Sequence, residues 1–431
     1  MQGFDFKDWE KEAVKCIRCG ACQTVCPVYQ HLKAESTVAR GKVRLIRAAI
    51  KDQIPLTEGF AQRMSWCLNC KACINACPSG VKTDRLVEAA RTELARRRGL
   101  TPVEKAAFRG LLKNSRLLHL VLRAASGIQG LFFRPGPGGN GVLPKLPVGL
   151  DSRRLVQPLA RTSFRSRPVK MAPAKTKGKV AFFTGCLINY GYPQVGQAVV
   201  EVLAKNGYQV VLPPQHCCGT PVRVGGDRET AVEIAKFNLD ALADLQVEAV
   251  ITACASCGLA LKNTYQDLAA ELPLYQKKAL RLGGMVKDIS EFIAGLPGWQ
   301  EGMGHLPSRV TYHDPCHLAR GMGISRPPRE ILQGIPGMSL VEMAKPDRCC
   351  GGAGSFSLIH YSLSLDIGRE KALDIRQTGA AVVAAGCPGC MMHINDALYQ
   401  SGVPAQVRHP AELLAEAYRA GLREKKGTEA G

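Results

Sequence analysis

The sequence predicts an α+β protein: a mainly helical N-terminal unit followed by a duplicated α/β half made of βαβ units. Three observations carry that prediction. All 18 cysteines fall into four spaced sets, two sets of four near the N-terminus and two sets of five further on. From Lys179 onward short apolar runs alternate with helical stretches, the signature of parallel strands with helices on the sheet faces. Matching cysteines of the two five-residue sets are offset by 130 to 133 positions, so this half is an internal duplication.

The N-terminal unit, residues 1–100, contains Cys16, Cys19, Cys22, Cys26 and Cys67, Cys70, Cys73, Cys77, each set reading C-x2-C-x2-C-x3-C-P. This is the bacterial ferredoxin ligand run, in which three thiolates converge on one cluster and the fourth cysteine ligates the other. One [4Fe-4S] cluster is therefore expected on Cys16, Cys19, Cys22 and Cys77, and a second on Cys67, Cys70, Cys73 and Cys26. Zinc is the competing reading, but zinc sites use two C-x2-C pairs rather than triplets followed by C-P. Between the runs, Thr37 to Arg47 carries apolar residues at helical intervals with basic ones between. That spacer is longer than in a compact two-cluster ferredoxin and points to the helical variant of respiratory iron-sulfur subunits. Asp84 to Arg98, rich in Leu, Ala, Glu and Arg, predicts a helix.

Residues 101–178 form a connector. Leu111 to Phe133 has periodic leucines broken by Lys113, Arg116, His119 and Arg123. Such a helix is expected to pack on the ferredoxin unit, with a membrane surface as the alternative. Pro135, Gly136, Pro137, Gly138 and Gly139 then break regular structure. Arg134 to Lys179 carries eleven Lys or Arg against one acid, Asp151, and reads as a solvated basic linker.

The duplicated half divides into 179–300 and 301–420. Expected strands are Val180–Phe183, Val210–Leu212 and Ala249–Ile251, repeated as Val310–Tyr312, Leu340–Val341 and Ala381–Val383. Cys186, Cys217, Cys218, Cys254 and Cys257 follow the first three; Cys316, Cys349, Cys350, Cys387 and Cys390 follow the second three. Ligands of parallel sheets collect at the carboxyl ends of strands, so each set of five is expected at one rim. Two separate lobes and two halves packed face to face satisfy the spacing equally. Five thiols exceed the need of tetrahedral zinc or of one cubane. A redox dithiol at each C-x2-C, or a cubane with a spare thiol, are the alternatives, and a dithiol leaves the lone cysteine and the adjacent pair unexplained.

His216, His313, His317 and His393 lie beside these cysteines and are expected to tune the sites by hydrogen bonding rather than to ligate. Arg18, Lys71, Arg223 and Arg348 sit near them as well, either raising potential or simply solvated. No G-x-G-x-x-G run follows a strand, so neither FAD nor NAD of that type is expected on this chain; no Walker loop or nucleophile elbow occurs.

The chain has 431 residues, 46% hydrophobic and 22% charged, as in an ordinary globular protein. A net charge of +21 keeps anionic partners open. No zinc-finger, helix-turn-helix or aromatic RNA-binding signature accompanies it, so nucleic acid is not an expected partner. Residues Met1 to Glu10 lack the apolar core of a secretory signal. Dense, regularly spaced cysteine then suits metal ligation in a reducing cytoplasm, with the inner face of the cell membrane as a peripheral setting.

From Lys179 to about position 415 the chain resembles the cysteine-rich CCG domain of heterodisulfide reductases. The resemblance rests on Cys217-Cys218-Gly219 and Cys254-Ala255-Ser256-Cys257, and on Cys349-Cys350-Gly351 and Cys387-Pro388-Gly389-Cys390, with Cys186 and Cys316. It implies one or two further [4Fe-4S] assemblies on the two sets of five, of non-cubane form in the best understood members. With the double ferredoxin unit, and with Cys77-Pro78-Ser79-Gly80-Val81, the whole chain resembles glycolate oxidase iron-sulfur subunits, lactate-utilisation iron-sulfur proteins and the D-type subunits of heterodisulfide reductases. What that implies is an electron relay: a separate flavoprotein subunit oxidises glycolate or lactate, and this chain passes electrons to a quinone or another acceptor. Glycolate oxidase subunits often lack one or more CCG cysteines. Both sets are complete here, which moves the chain toward enzymes that reduce a disulfide at a CCG-bound cluster.

Overall fold

In the computed structural model, residues 4–139, 141–146, 148–168, 173, 175–270 and 272–429 are described. The α+β expectation holds. The N-terminal unit is helical around Ala39–Ile50 and Thr83–Arg98. Val43, Ile46 and Ile50 of the first helix share a core with Leu86, Val87 and Ala90 of the second and with Phe60 and Met64 of a helix between them. The second helix stops at Gly99, whose φ of +76° ends the helical hydrogen-bonding run.

Each repeat of the second half is a four-stranded parallel sheet. The first consists of β1 (Gly178–Phe183), β2 (Tyr208–Val211), β3 (Ala249–Thr252) and β4 (Val286–Asp288), in spatial order β2-β1-β3-β4. The second consists of β5 (Ser308–His313), β6 (Met338–Leu340), β7 (Val382–Ala385) and β8 (Gln406–Arg408), in the equivalent order β6-β5-β7-β8. The central strands are apolar on both faces because helices cover both: Val180 to Phe183 and Ala249 to Ile251 are buried throughout. β4 and β8, three residues each and at sheet edges, complete the sheets beyond the strands expected from sequence.

The two repeats pack face to face rather than as separate lobes. The helix Pro193–Lys205 lies against Pro410–Glu429, where Asn206 Nδ2 donates to the Tyr418 hydroxyl at 3.0 Å. At the sheet rims the Ala255 N–H donates to the Gly386 carbonyl at 3.3 Å, and His409 Nε2 lies 3.1 Å from the Ala253 carbonyl. Both contacts cross the repeat boundary next to cysteines.

The connector departs from expectation in two ways. Helix Ser115–Phe132 does not bury its leucines on the ferredoxin unit: only Leu118 and Ser126 are buried, while Leu117, Val121 and Ile128 are exposed and Leu120 and Leu131 are 63% and 69% exposed. Its fixed contacts are polar or aromatic instead, Gln129 with the Leu159 carbonyl and His119 with the Tyr190 ring. Residues 153–168 are a strap across both repeats and not a solvated linker. Arg154, 4% exposed, donates to the Ser357 carbonyl and hydroxyl, and the Leu155 N–H donates to Asp396. Phe164 packs on Phe182 under the first sheet, and Arg165 donates to the Pro213 carbonyl. Guanidinium groups that satisfy carbonyls can be buried at basic positions that composition alone assigns to solvent.

The edge strand β4 ends in a titrating group away from the cysteines. Asp288 is buried and N-caps the helix Ile289–Ala294 through the Ser290 N–H at 2.8 Å. Burial, with Glu291 nearby, raises its pKa from 3.8 to about 7 despite the capping bonds. Between those values the unfolded chain ionises first, so stability falls as pH rises and the loss is complete above about 7. Asp288→Asn keeps a capping oxygen and removes the titration. It is expected to stabilise the protein at pH 8, relative to its effect at pH 4, by on the order of 3 kcal/mol. Thermal melts of the two proteins at both pH values check this; parallel pH profiles would refute it.

Candidate iron-sulfur sites

In the N-terminal unit each cysteine run enters a short helix through a residue of positive φ, Gly20 at +88° before Ala21–Val25 and Lys71 at +62° before Ala72–Asn75. The turns aim successive thiols inward. One cavity is lined by Cys16, Cys19, Cys22, Cys73 and Cys77. A second is lined by Cys26, Cys67, Cys70 and Cys73. Cys26 thus leaves its own run and faces the thiols of Cys70 and Cys67, and burial, with a smaller push from those thiols, raises its pKa to about 11. The fourth cysteine of each run stands with the first three of the other, and two sets of four soft thiolate donors fit a four-iron cluster in each cavity.

Side chains that sequence reasoning overlooked hold the second loop. Half-buried Arg91 donates to the carbonyls of Met64 and Cys67 at 2.7 and 2.9 Å and to Val224 of the first repeat at 3.2 Å. Arg320 of the second repeat donates to the Cys70 carbonyl at 3.2 Å. Buried Lys42 donates to the Thr37 carbonyl beside Cys26, and burial lowers its pKa. Lone basic residues in helices give no sequence signal for these roles. Of the four basic residues noted from sequence, Lys71 pairs with Asp84, Arg223 with Glu88, and Arg348 with Glu370, while Arg18 is exposed.

The ten remaining cysteines lie past the carboxyl ends of β1 to β3 and β5 to β7, and all but Cys186 and Cys316 are buried. In the first repeat Cys218 is held well below its usual pKa by hydrogen bonds from Cys217 and Cys257. In the second, Cys350 is held low in the same way by Cys349 and Cys390. Cys186 joins Cys217, and Cys316 joins Cys349. The two sets also meet each other: the free thiol of Cys254 lies beside that of Cys387, and Cys70 of the N-terminal unit lies beside Cys349. Neighbouring thiols thus run from Cys186 through Cys217, Cys218, Cys257, Cys254, Cys387, Cys390, Cys350 and Cys349 to Cys70. Around the first set, Asn238 Nδ2 donates to the Cys217 carbonyl at 3.0 Å and the Tyr265 hydroxyl donates to that of Cys218 at 3.2 Å.

The histidines separate. His317 lies 3.0 Å from the Ser256 hydroxyl and 3.2 Å from the Asn69 carbonyl, and so touches the first repeat and the second ferredoxin loop. His393 Nε2 lies 3.2 Å from the Ser364 hydroxyl. His216 stacks on Phe237 with ring centroids 3.6 Å apart. His313 is the exception, with neither ring nitrogen hydrogen-bonded.

Backbone freedom matters most at Gly185, with φ +65°. A Cβ there would stand 2.8 Å from Cys257 Sγ. Gly185→Ala is expected to displace Cys257, to cost ~1–2 kcal/mol in left-handed strain, and to lower iron bound at the first set while the N-terminal clusters persist. Iron per chain and the EPR signals of the reduced protein measure the effect; full iron content would contradict it.

The 4Fe-4S dicluster domain model matches residues 12–81, and the cysteine-rich CCG domain model matches twice, at 180–262 and 310–395. The probable glycolate oxidase iron-sulfur subunit of Bacillus subtilis is 33% identical over 95% of this chain and 94% of its own length. The D-type subunit of the dihydromethanophenazine:CoB–CoM heterodisulfide reductase of Methanosarcina acetivorans is 28% identical over 94% of both chains. Lactate utilization protein A of Halalkalibacterium halodurans is 32% identical over 55% of this chain and 96% of its own. No described helix is long and apolar enough to cross a membrane. The chain belongs to the family of glycolate oxidase iron-sulfur subunits, in which a 4Fe-4S dicluster domain is joined to two cysteine-rich CCG domains.

Proposed function

We propose that this chain is the electron-relay subunit of a 2-hydroxy-acid dehydrogenase of glycolate oxidase type. A separate flavoprotein subunit oxidises glycolate or lactate, and electrons leave through this chain to a quinone or another acceptor. The observation that carries the reading is the continuous file of thiols from Cys186 through the Cys254–Cys387 and Cys349–Cys70 contacts. On this reading Cys16, Cys19, Cys22 and Cys77 hold one [4Fe-4S] cluster, and Cys67, Cys70, Cys73 and Cys26 a second. Each set of five CCG cysteines holds a further one, within the divisions 1–100, 101–178, 179–300 and 301–420. Such clusters, when bound, supply one-electron carriers. The chain's own part is to keep them close and dry, with Arg91, Arg320, Asn238 and Tyr265 fixing the ligand loops.

A second reading is favoured by the completeness of both five-cysteine sets and by the name of the Methanosarcina relative: reduction of a disulfide at a CCG site. The decisive experiment purifies the chain anaerobically with its partner subunits and assays acceptor reduction with glycolate, with lactate and with a thiol disulfide. Turnover with a hydroxy acid supports the first reading. Turnover with the disulfide alone would replace it.

The exposed stripe Leu117, Leu120, Val121, Ile128 and Leu131, flanked by exposed Lys113, Arg116 and Arg123, supports peripheral attachment at the inner membrane face. Leu120→Glu with Leu131→Glu is expected to reduce co-sedimentation with anionic vesicles at least about tenfold. Equal sedimentation of variant and parent would remove the membrane from this reading.

A further inference from the structure

We propose that His313 is a nitrogen ligand of the second five-cysteine site, so that the two CCG sites differ in donor chemistry. The inference rests on the reading that this set binds an iron-sulfur cluster. His313 ends β5, is 1% exposed, and lies with a ring nitrogen and the sulfurs of Cys350 and Cys390 all within 4.8 Å of one another. Neither ring nitrogen has a hydrogen-bond partner. The Pro346 carbonyl lies alongside the ring but already accepts from the Asp314 N–H at 3.0 Å and Lys371 Nζ at 3.2 Å. A buried imidazole without partners is costly, and a metal beside two thiolates is the neighbour that removes the cost. Imidazole nitrogen and thiolate sulfur are both proper donors to iron.

The duplication supplies an internal control. The residue at the His313 position of the first repeat is Phe183, which ends β1 as His313 ends β5. An aromatic ring is therefore enough for packing there, and packing does not account for the nitrogens. The other histidines near the sites have other engagements, His317 and His393 in hydrogen bonds and His216 in a stack. The consequence is directional. A neutral imidazole donor raises a cluster's potential relative to thiolate ligation alone, as in Rieske centres, so the second site would draw electrons from the first.

The test uses the full chain loaded with iron and sulfide, prepared with 14N- or 15N-labelled histidine and reduced for pulsed EPR. One strongly coupled nitrogen that changes with the isotope is expected, retained in His393→Gln and lost in His313→Phe. The midpoint of the affected signal should also fall in His313→Phe. A second-site signal with only weak backbone nitrogen coupling, identical in parent and His313→Phe, would overturn the ligand assignment and leave the cluster reading standing. A parent protein whose iron and EPR match those of Cys350→Ser would instead overturn the cluster reading, and this inference with it. Should His313→Phe lose the second-site iron altogether, the isotope comparison in the parent still decides.

Discussion

Cys349→Ser is expected to disconnect the N-terminal unit from the duplicated half while leaving both folded. Cys349 is the one thiol of the second set that hydrogen-bonds at once to its own set, through Cys316 and Cys350, and to Cys70 across the domain boundary. It is buried between Val28, Leu68 and Phe356 in a small core shared by the two units. Serine fills nearly the same volume but offers a hard, weakly acidic oxygen in place of a thiolate, so metal affinity falls while packing persists. Iron should drop by about four atoms per chain, the content of one such cluster. Cys217→Ser is the control, because Cys217 hydrogen-bonds only to Cys186 and Cys218 at the far end of the file. It should cost the same amount of iron yet keep rapid exchange of electrons between the N-terminal clusters and the second site. Rapid-mixing experiments that follow each EPR signal separate the two variants. Equal internal transfer in both would mean that the Cys70–Cys349 contact is not on the electron path.

The parts of this architecture that were legible in the sequence are those set by local chemistry. Ligand spacing identified all four cysteine sets, and apolar runs located six strands to within two residues at most ends, because both signals lie within about ten residues of chain. β4 and β8 were missed because a three-residue edge strand such as Val286–Asp288, entered directly from a helix, has too few positions to show a period. Helix Ser115–Phe132 was found and its surroundings were not: periodicity reports that an apolar face exists, but what covers it is a tertiary fact. The same limit hid the Cys254–Cys387 and Cys70–Cys349 contacts, which join residues more than a hundred positions apart. Basic composition was the misleading signal. Arg91, Arg154 and Arg165 are counted with the solvated charges in a sequence, yet Arg154 is buried and the other two half-buried, all donating to backbone carbonyls. What distinguishes them is the geometry of acceptors brought from distant segments, which composition does not encode.

Arg91→Met is expected to be among the most destabilising single changes outside the cysteines. The half-buried guanidinium donates to Met64 and Cys67 in the second ligand loop and to Val224 in the first repeat, so one side chain ties three segments together. Burial lowers its pKa, with opposing help from Cys67 and Glu88, but an arginine remains charged in all such settings. Methionine matches the aliphatic stem and removes the donors, leaving the carbonyls of Cys67 and Val224 without one, while that of Met64 keeps the Cys67 N–H at 3.2 Å. Each orphaned buried carbonyl costs ~1–3 kcal/mol, so the expected loss is ~3–5 kcal/mol before relaxation. Arg91→Lys restores charge but cannot span the same acceptors with one ammonium, and should recover less than half of that loss. The effect should also be local in its chemistry. On the proposed ligand assignment, the cluster of Cys67, Cys70 and Cys73 with Cys26 should become labile to chelators while that of Cys16, Cys19, Cys22 and Cys77 survives, because of the two ferredoxin loops Arg91 touches only the second. Melting temperature together with the rate of iron release to a chelator measures both claims. A melting point within a degree or two of the parent, with unaltered iron release, would show that those carbonyls find water instead and that the arginine contributes packing alone.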